Sequence, residues 1–149
     1  MYVKNVLVAL LFAIIVLAGQ APCPANEPLA YYSRPHRALD RLAEGYARWM
    51  AIHRTQGGHH GWSEGRWQAA LRATGGSRAA EITAETWPNQ PNLSWEEQWA
   101  EYAKDWSRSR GQGGGANHWG VAGRRHRWIG TGSARGRNGT WYGCLIAVD

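Results

Sequence analysis

The chain has 149 residues, a formal charge of +6, ten tryptophans and two cysteines. That length suits one domain with a real core, and two cysteines are weak evidence for a disulfide framework. The positive charge favours anionic surfaces such as wall polymer or lipid head groups. Nucleic acid is set aside, because the N-terminus reads as an export signal and the basic residues are scattered, apart from Arg124, Arg125 and Arg127 around His126.

Lys4 is followed by the unbroken apolar run Val6 to Ala18 and then by small residues. This is the pattern of a secretory signal peptide. It is shorter than the roughly 20 residues a membrane-spanning helix needs. The signal is placed over residues 1–21, with cleavage after Ala18 one option and an uncleaved anchor the alternative. A secreted or periplasmic monomer is expected, with an N-terminal arm at 22–34 and one domain at 35–149. Outside the cytoplasm Cys23 and Cys144 either pair, pinning the arm to the last strand, or remain free thiols.

Pro35 to Arg54 reads as a helix, with Pro35 at its first position. Leu39, Leu42, Ala43, Tyr46, Met50 and His53 form its apolar stripe, so His53 is expected in the core. His36 and His126 are read as non-functional. A second helix is expected over Ser63 to Ala73, with Trp67, Ala70 and Leu71 inward and Gly75-Gly76 as the stop. Arg78 to Trp87 fits either strand or helix. Pro88, Asn89, Pro91 and Asn92 then break the chain.

Ser94-Trp-Glu-Glu97 is a capping box that opens a helix ending near Ser109. Trp95, Trp99, Tyr102 and Trp106 give that helix a buried aromatic face. After the glycine loop 111–115 the pattern turns to strands. Runs at 128–134 and 140–148 flank Asn138-Gly139, a hairpin signal with positive φ expected at both central residues. The last run is apolar on both faces, which predicts a central strand covered on both sides. Helices first and a strand pair last predict an α+β fold, a three-layer α/β/α sandwich around a mainly antiparallel sheet.

Four stretches in this order resemble the CAP superfamily, the SCP-like extracellular domains. They are Gly57-Gly-His-His-Gly-Trp62, Ala79-Ala-Glu-Ile82, Trp106-Ser-Arg-Ser109 with His118-Trp119, and Ile129-Gly-Thr-Gly132 followed by Gly139-Thr-Trp-Tyr142. The likeness covers about Pro35 to Val148. It implies a cleft holding two histidines and two glutamates. His60 is similar to the first cleft histidine, with His59 the neighbour able to take its place, and Glu81 is similar to the first glutamate. His118 is similar to the second histidine, with Gln112 at the usual spacing. Glu97 and Glu101 both lie in the helix that supplies the second glutamate.

The resemblance implies a metal set of His60, Glu81, Glu97 and His118. Two imidazoles and carboxylates suit Zn²⁺ with an open position for water. Without metal, a histidine–glutamate pair still moves protons. The expected function is an exported CAP-like domain binding a lipid, glycan or protein ligand in this cleft. The alternatives are a metal-assisted hydrolase of envelope material and a non-catalytic wall-binding protein.

Overall fold

A four-stranded mixed sheet organises the chain, as seen in a computed structural model that describes residues 27–113 and 117–149. The expected signal segment 1–21 and Cys23 lie outside the described residues. The strands are β1 (Arg34–Pro35), β2 (Ala79–Glu85), β3 (Trp128–Arg135) and β4 (Trp141–Val148), in the order β1-β3-β4-β2. The β1–β3 pair is parallel and the other two are antiparallel. The helices are α1 (Arg37–His53), α2 (Trp67–Thr74), α3 (Trp95–Ser107) and α4 (His118–Ala122). The fold is therefore α+β.

β4 lies inside the sheet, and its residues from Tyr142 to Val148 are all buried. Alternate side chains of a strand face opposite ways. Tyr142, Cys144, Ile146 and Val148 pack with Leu39, Ala43, Tyr46 and Met50 of α1 and with Ala70 of α2. Leu145 and Ala147 pack with Ile82, with Trp99, Tyr102 and Trp106 of α3, and with Ala122 of α4. Cys144 is a free thiol, fully buried on the α1 face.

The Gly-Thr-Gly of β3 is a packing device. Gly130 and Gly132 face α1, and a Cβ on Gly132 would lie 2.2 Å from the Glu44 amide nitrogen and 2.4 Å from the Ala43 carbonyl carbon. Only glycine lets the helix backbone come this close. Asp40 fixes the helix to the same strand by accepting from the Thr131 amide at 3.0 Å.

Several local expectations change. Pro35 belongs to β1, and α1 starts after His36, whose Nδ1 caps the helix by accepting from the Ala38 amide. A π turn at Trp62–Arg66, broken at Gly65 with φ 145°, precedes α2 and sets its register, so Trp67 is turned out. The segment open to either reading is strand β2. The capping box forms as expected. Trp95 at the first position of α3 leans on Trp99 and stays half exposed, whereas Trp99, Tyr102 and Trp106 are buried. His53 is exposed and stacks on Trp49, because it sits on the last turn of α1, past the sheet. The hairpin uses a three-residue loop in place of a two-residue one. Gly136 donates to the Thr140 carbonyl, Gly139 donates to the Gly136 carbonyl, and only Gly139 takes positive φ. That is a type I turn closed by a left-handed glycine.

Replacing Gly132 by alanine forces α1 off β3. Overpacking of this kind costs roughly 1–3 kcal/mol, and we expect Gly132→Ala at the upper end of that range in denaturant unfolding. An unchanged midpoint would mean that α1 does not press on this strand.

Candidate functional site

β2 is an edge strand, and Glu81, Thr83 and Glu85 share its α1-side face. The Glu81 side chain has no exposed surface. Arg66 grips it with both arms of its fork: Nε donates to Oε2 at 2.6 Å and Nη2 to Oε1 at 2.8 Å. A buried carboxylate needs such a partner, and a bidentate guanidinium is the strongest that side chains offer. The π turn carries Arg66 to this point, and the guanidinium lies 3.9 Å over the Tyr46 ring. Burial would pull the Arg66 guanidinium down, and the Glu81 carboxylate holds it above its ordinary value. Burial, with the Glu81 charge, pushes the Tyr46 hydroxyl up to about 12.

His59 completes the cluster. Its backbone is left-handed, with φ 63°, and its Nδ1 lies 3.1 Å from Glu81 Oε1. A carboxylate only accepts, so Nδ1 carries a proton and donates it to Glu81. The Tyr46 hydroxyl steadies the same loop by donating to the Gln56 carbonyl, and the Thr83 hydroxyl donates to Gln56 Oε1.

The second histidine arrives from the other face of the sheet. Trp106 of α3 donates its indole N–H to the Thr83 carbonyl at 2.8 Å, locking the helix to the edge of β2. The Ser109 hydroxyl donates to the Trp106 carbonyl and accepts from the Trp119 amide, tying α4 to the end of α3. His118, the first residue of α4, thereby stands edge-on to His59 with ring centres 6.1 Å apart. Burial, and then the neighbouring His59, lowers the His118 pKa, while Asp105 opposes the shift. A cavity of about 150 Å³ at the Glu85 end of β2 is lined by Gln56, Glu85, Thr86, Trp87, Glu101, Asp105 and Arg108, and by neither His59 nor His118. Burial, and then Asp105, raises the Glu85 carboxyl.

The four residues expected to hold metal are not gathered. His60 is exposed and stacks on Trp49 at 4.6 Å, because the turn at 57–61 points its ring away from β2. His59 occupies the place beside Glu81 instead. Glu97 accepts from the Ser94 amide as half of the capping box, and Glu101 pairs with Lys104. Gln112 is exposed and reaches back to the Arg108 carbonyl. Of the expected set, Glu81 and His118 meet only through His59. Among the described residues no group of three or more histidines, cysteines, aspartates or glutamates is arranged to hold a metal ion. Zn²⁺ does not fit the expected set: both Glu81 oxygens are committed to Arg66, whose charge would oppose a cation.

Arg66 was not legible as a site residue, since its pairing with Glu81 crosses an irregular turn that no spacing rule describes. Glu85 and Asp105 were hidden for a similar reason, lying on different elements. A cavity of about 700 Å³ lies elsewhere, between Tyr31, the side of α3 with Trp95 and Trp99, and Ile129 and Thr131 of β3. It holds none of the histidines. No known family model matches the chain, and no curated protein matches it.

Removing one partner of a buried ion pair strands the other charge, at a cost of about 3–5 kcal/mol. Arg66→Met is expected to destabilise the protein by that amount, with Arg66→Met/Glu81→Leu recovering much of the loss. A double variant no more stable than the single one would show that the two side chains do not act as a pair.

Proposed function

We propose that this chain is an exported domain of the CAP type, its helices and sheet forming a three-layer α/β/α sandwich, and that it binds an envelope glycan along the free edge of β2. The observation that carries this reading is the meeting of His59, held on buried Glu81, with His118 across that edge. The order of the four sequence stretches supports the family. The lining of the adjacent cavity supports the ligand class. Gln56, Glu85, Glu101, Asp105 and Arg108 supply donors and acceptors for hydroxyl groups, and Trp87, 72% exposed, offers a flat apolar face for a sugar ring. His59 and His118 bring two ring edges together there, and burial, then His59, lowers the His118 pKa and favours its neutral ring. The site therefore recognises by hydrogen bonding, and no metal is assigned to it.

A second reading is hydrolysis of the same ligand. One observation favours it: burial, and then Asp105, raises the Glu85 carboxyl from its ordinary value. Glycosidic cleavage uses a pair of carboxyl groups, one of which serves as the acid.

Calorimetric titration of the full chain with soluble peptidoglycan fragments tests both readings. We expect Trp87→Ala and His59→Ala each to weaken binding about tenfold or more, which is roughly 1.4 kcal/mol. His60→Ala and Glu97→Ala should leave it unchanged. No binding by the parent protein, or an equal loss in His60→Ala, would contradict the proposed site. Release of reducing ends that stops in Glu85→Gln would carry the second reading.

A further inference from the structure

Two segments far apart in sequence run side by side at the β1 edge. Arg34 and Pro35 pair with Trp128 and Ile129, the His126 amide donates to the Ser33 hydroxyl at 2.8 Å, and His36 lies edge-on to Trp128 at 5.4 Å. Residues 32–37 and 124–129 together bring five arginines and no carboxylate. Asp149 engages Arg124 and the buried His126, and is the only acid that ion-pairs with either segment among the described residues. Arg34, Arg37, Arg125 and Arg127 are exposed and have no carboxylate partner there. Arg125 lies over the Tyr32 ring at 5.7 Å and Arg127 over the Trp128 ring at 5.9 Å. As a sequence run, 124–127 reads as a solvated loop. The fold adds Arg34 and Arg37 and makes the run one side of a basic face.

Two further features decide what that face meets. The turn Leu29–Tyr32 enters it, and Leu29 and Tyr32 are 38% and 45% exposed. Apolar groups beside arginines suit the head-group region of a bilayer, where both find partners, better than they suit a dissolved polyanion. If the apolar run Val6 to Ala18 stays as the uncleaved anchor, it ends nine positions before Glu27. The eight residues between reach at most about 27 Å, so an uncleaved anchor would keep this face within that distance of it.

We propose that the face formed by Arg34, Arg37, Arg125 and Arg127 with Leu29 and Tyr32 docks on an anionic phospholipid surface. The guanidinium groups hold lipid phosphates, for which their fork geometry is suited. Leu29 and Tyr32 enter the interfacial layer. Docked in this way, the β1 edge faces the bilayer, and the β2 edge at the far side of the sheet stays open to ligand. Each basic residue near an anionic leaflet is worth about fivefold in partitioning.

The test is flotation of the full chain with vesicles of phosphatidylcholine, with and without phosphatidylglycerol. Comparing the two compositions cancels insertion of the apolar run, which is common to both. The parent chain should prefer the anionic vesicles, and the preference should shrink with added salt. Arg34→Gln/Arg125→Gln/Arg127→Gln should lower that preference by about tenfold or more. The control Arg48→Gln/Arg72→Gln/Arg137→Gln, with the same change in charge away from the face, should keep most of it. Equal losses in the two triple variants would overturn the proposal, as would a parent chain with no anionic preference. Binding to soluble polyphosphate without an anionic vesicle preference would also overturn it and assign the face to a polymer. Circular dichroism of each variant confirms that folded protein is compared.

Discussion

Glu81 is a carboxylate with no access to water, and much of the molecule around it is arranged to make that tolerable. An unpaired charge at this position would cost several kcal/mol. Arg66 removes that cost by pairing with both oxygens, and to do so the chain must leave regular helix geometry at the π turn between α1 and α2. The same carboxylate holds His59 in a left-handed backbone position and keeps the Cys144 thiol protonated, since burial and the nearby negative charge both push that thiol up. Such a pair is weak evidence for stability, because an apolar substitute often serves as well. Its value here is position: it holds His59 at the edge of β2.

The opposite wall of the cleft is built by neutral contacts. Trp106 hydrogen-bonds to the backbone of β2, Ser109 relays that anchor to α4, and His118 follows. The two walls lie on opposite faces of one sheet and meet only where the sheet ends. A free strand edge is a liability that proteins cover or blunt. Here the Trp106 indole covers part of it, and the remainder is the proposed binding edge. The C-terminal clasp works at the other edge. His126 has Nδ1 on Asp149 and Nε2 on the Val121 carbonyl, so it joins the last residue to α4.

Regular elements were legible in the sequence wherever one periodic pattern matched one physical demand. The Ser94 capping box marked the start of α3, and a run apolar on both faces marked β4 as internal. The Asn138-Gly139 hairpin was legible as a turn, but its loop length was not, because Gly136 and Thr140 also pair. The aromatic stripe of α3 misled only at Trp95, where the helix begins. Trp67 misled because the turn before it is irregular, and periodicity presumes a regular helix.

The site was half legible. Glu81 and His118 stood out by resemblance, and His59 was weighed as the neighbour of His60. Which of two adjacent histidines faces Glu81 depends on backbone signs at Gly57, Gly58, His59 and Gly61, all with positive φ, and no side-chain pattern encodes those. Glu97 satisfied two readings at once, as cap and as ligand. The cap prevailed because its partner, the Ser94 amide, is three residues away and needs no folding to be found.

Glu81 orients His59 through the hydrogen bond from Nδ1. A long-range ¹H–¹⁵N correlation spectrum of the full chain reads the His59 tautomer directly. A proton on Nδ1, donating to Glu81, is the predicted result. A proton on Nε2 instead, leaving Nδ1 bare toward the carboxylate, would contradict it.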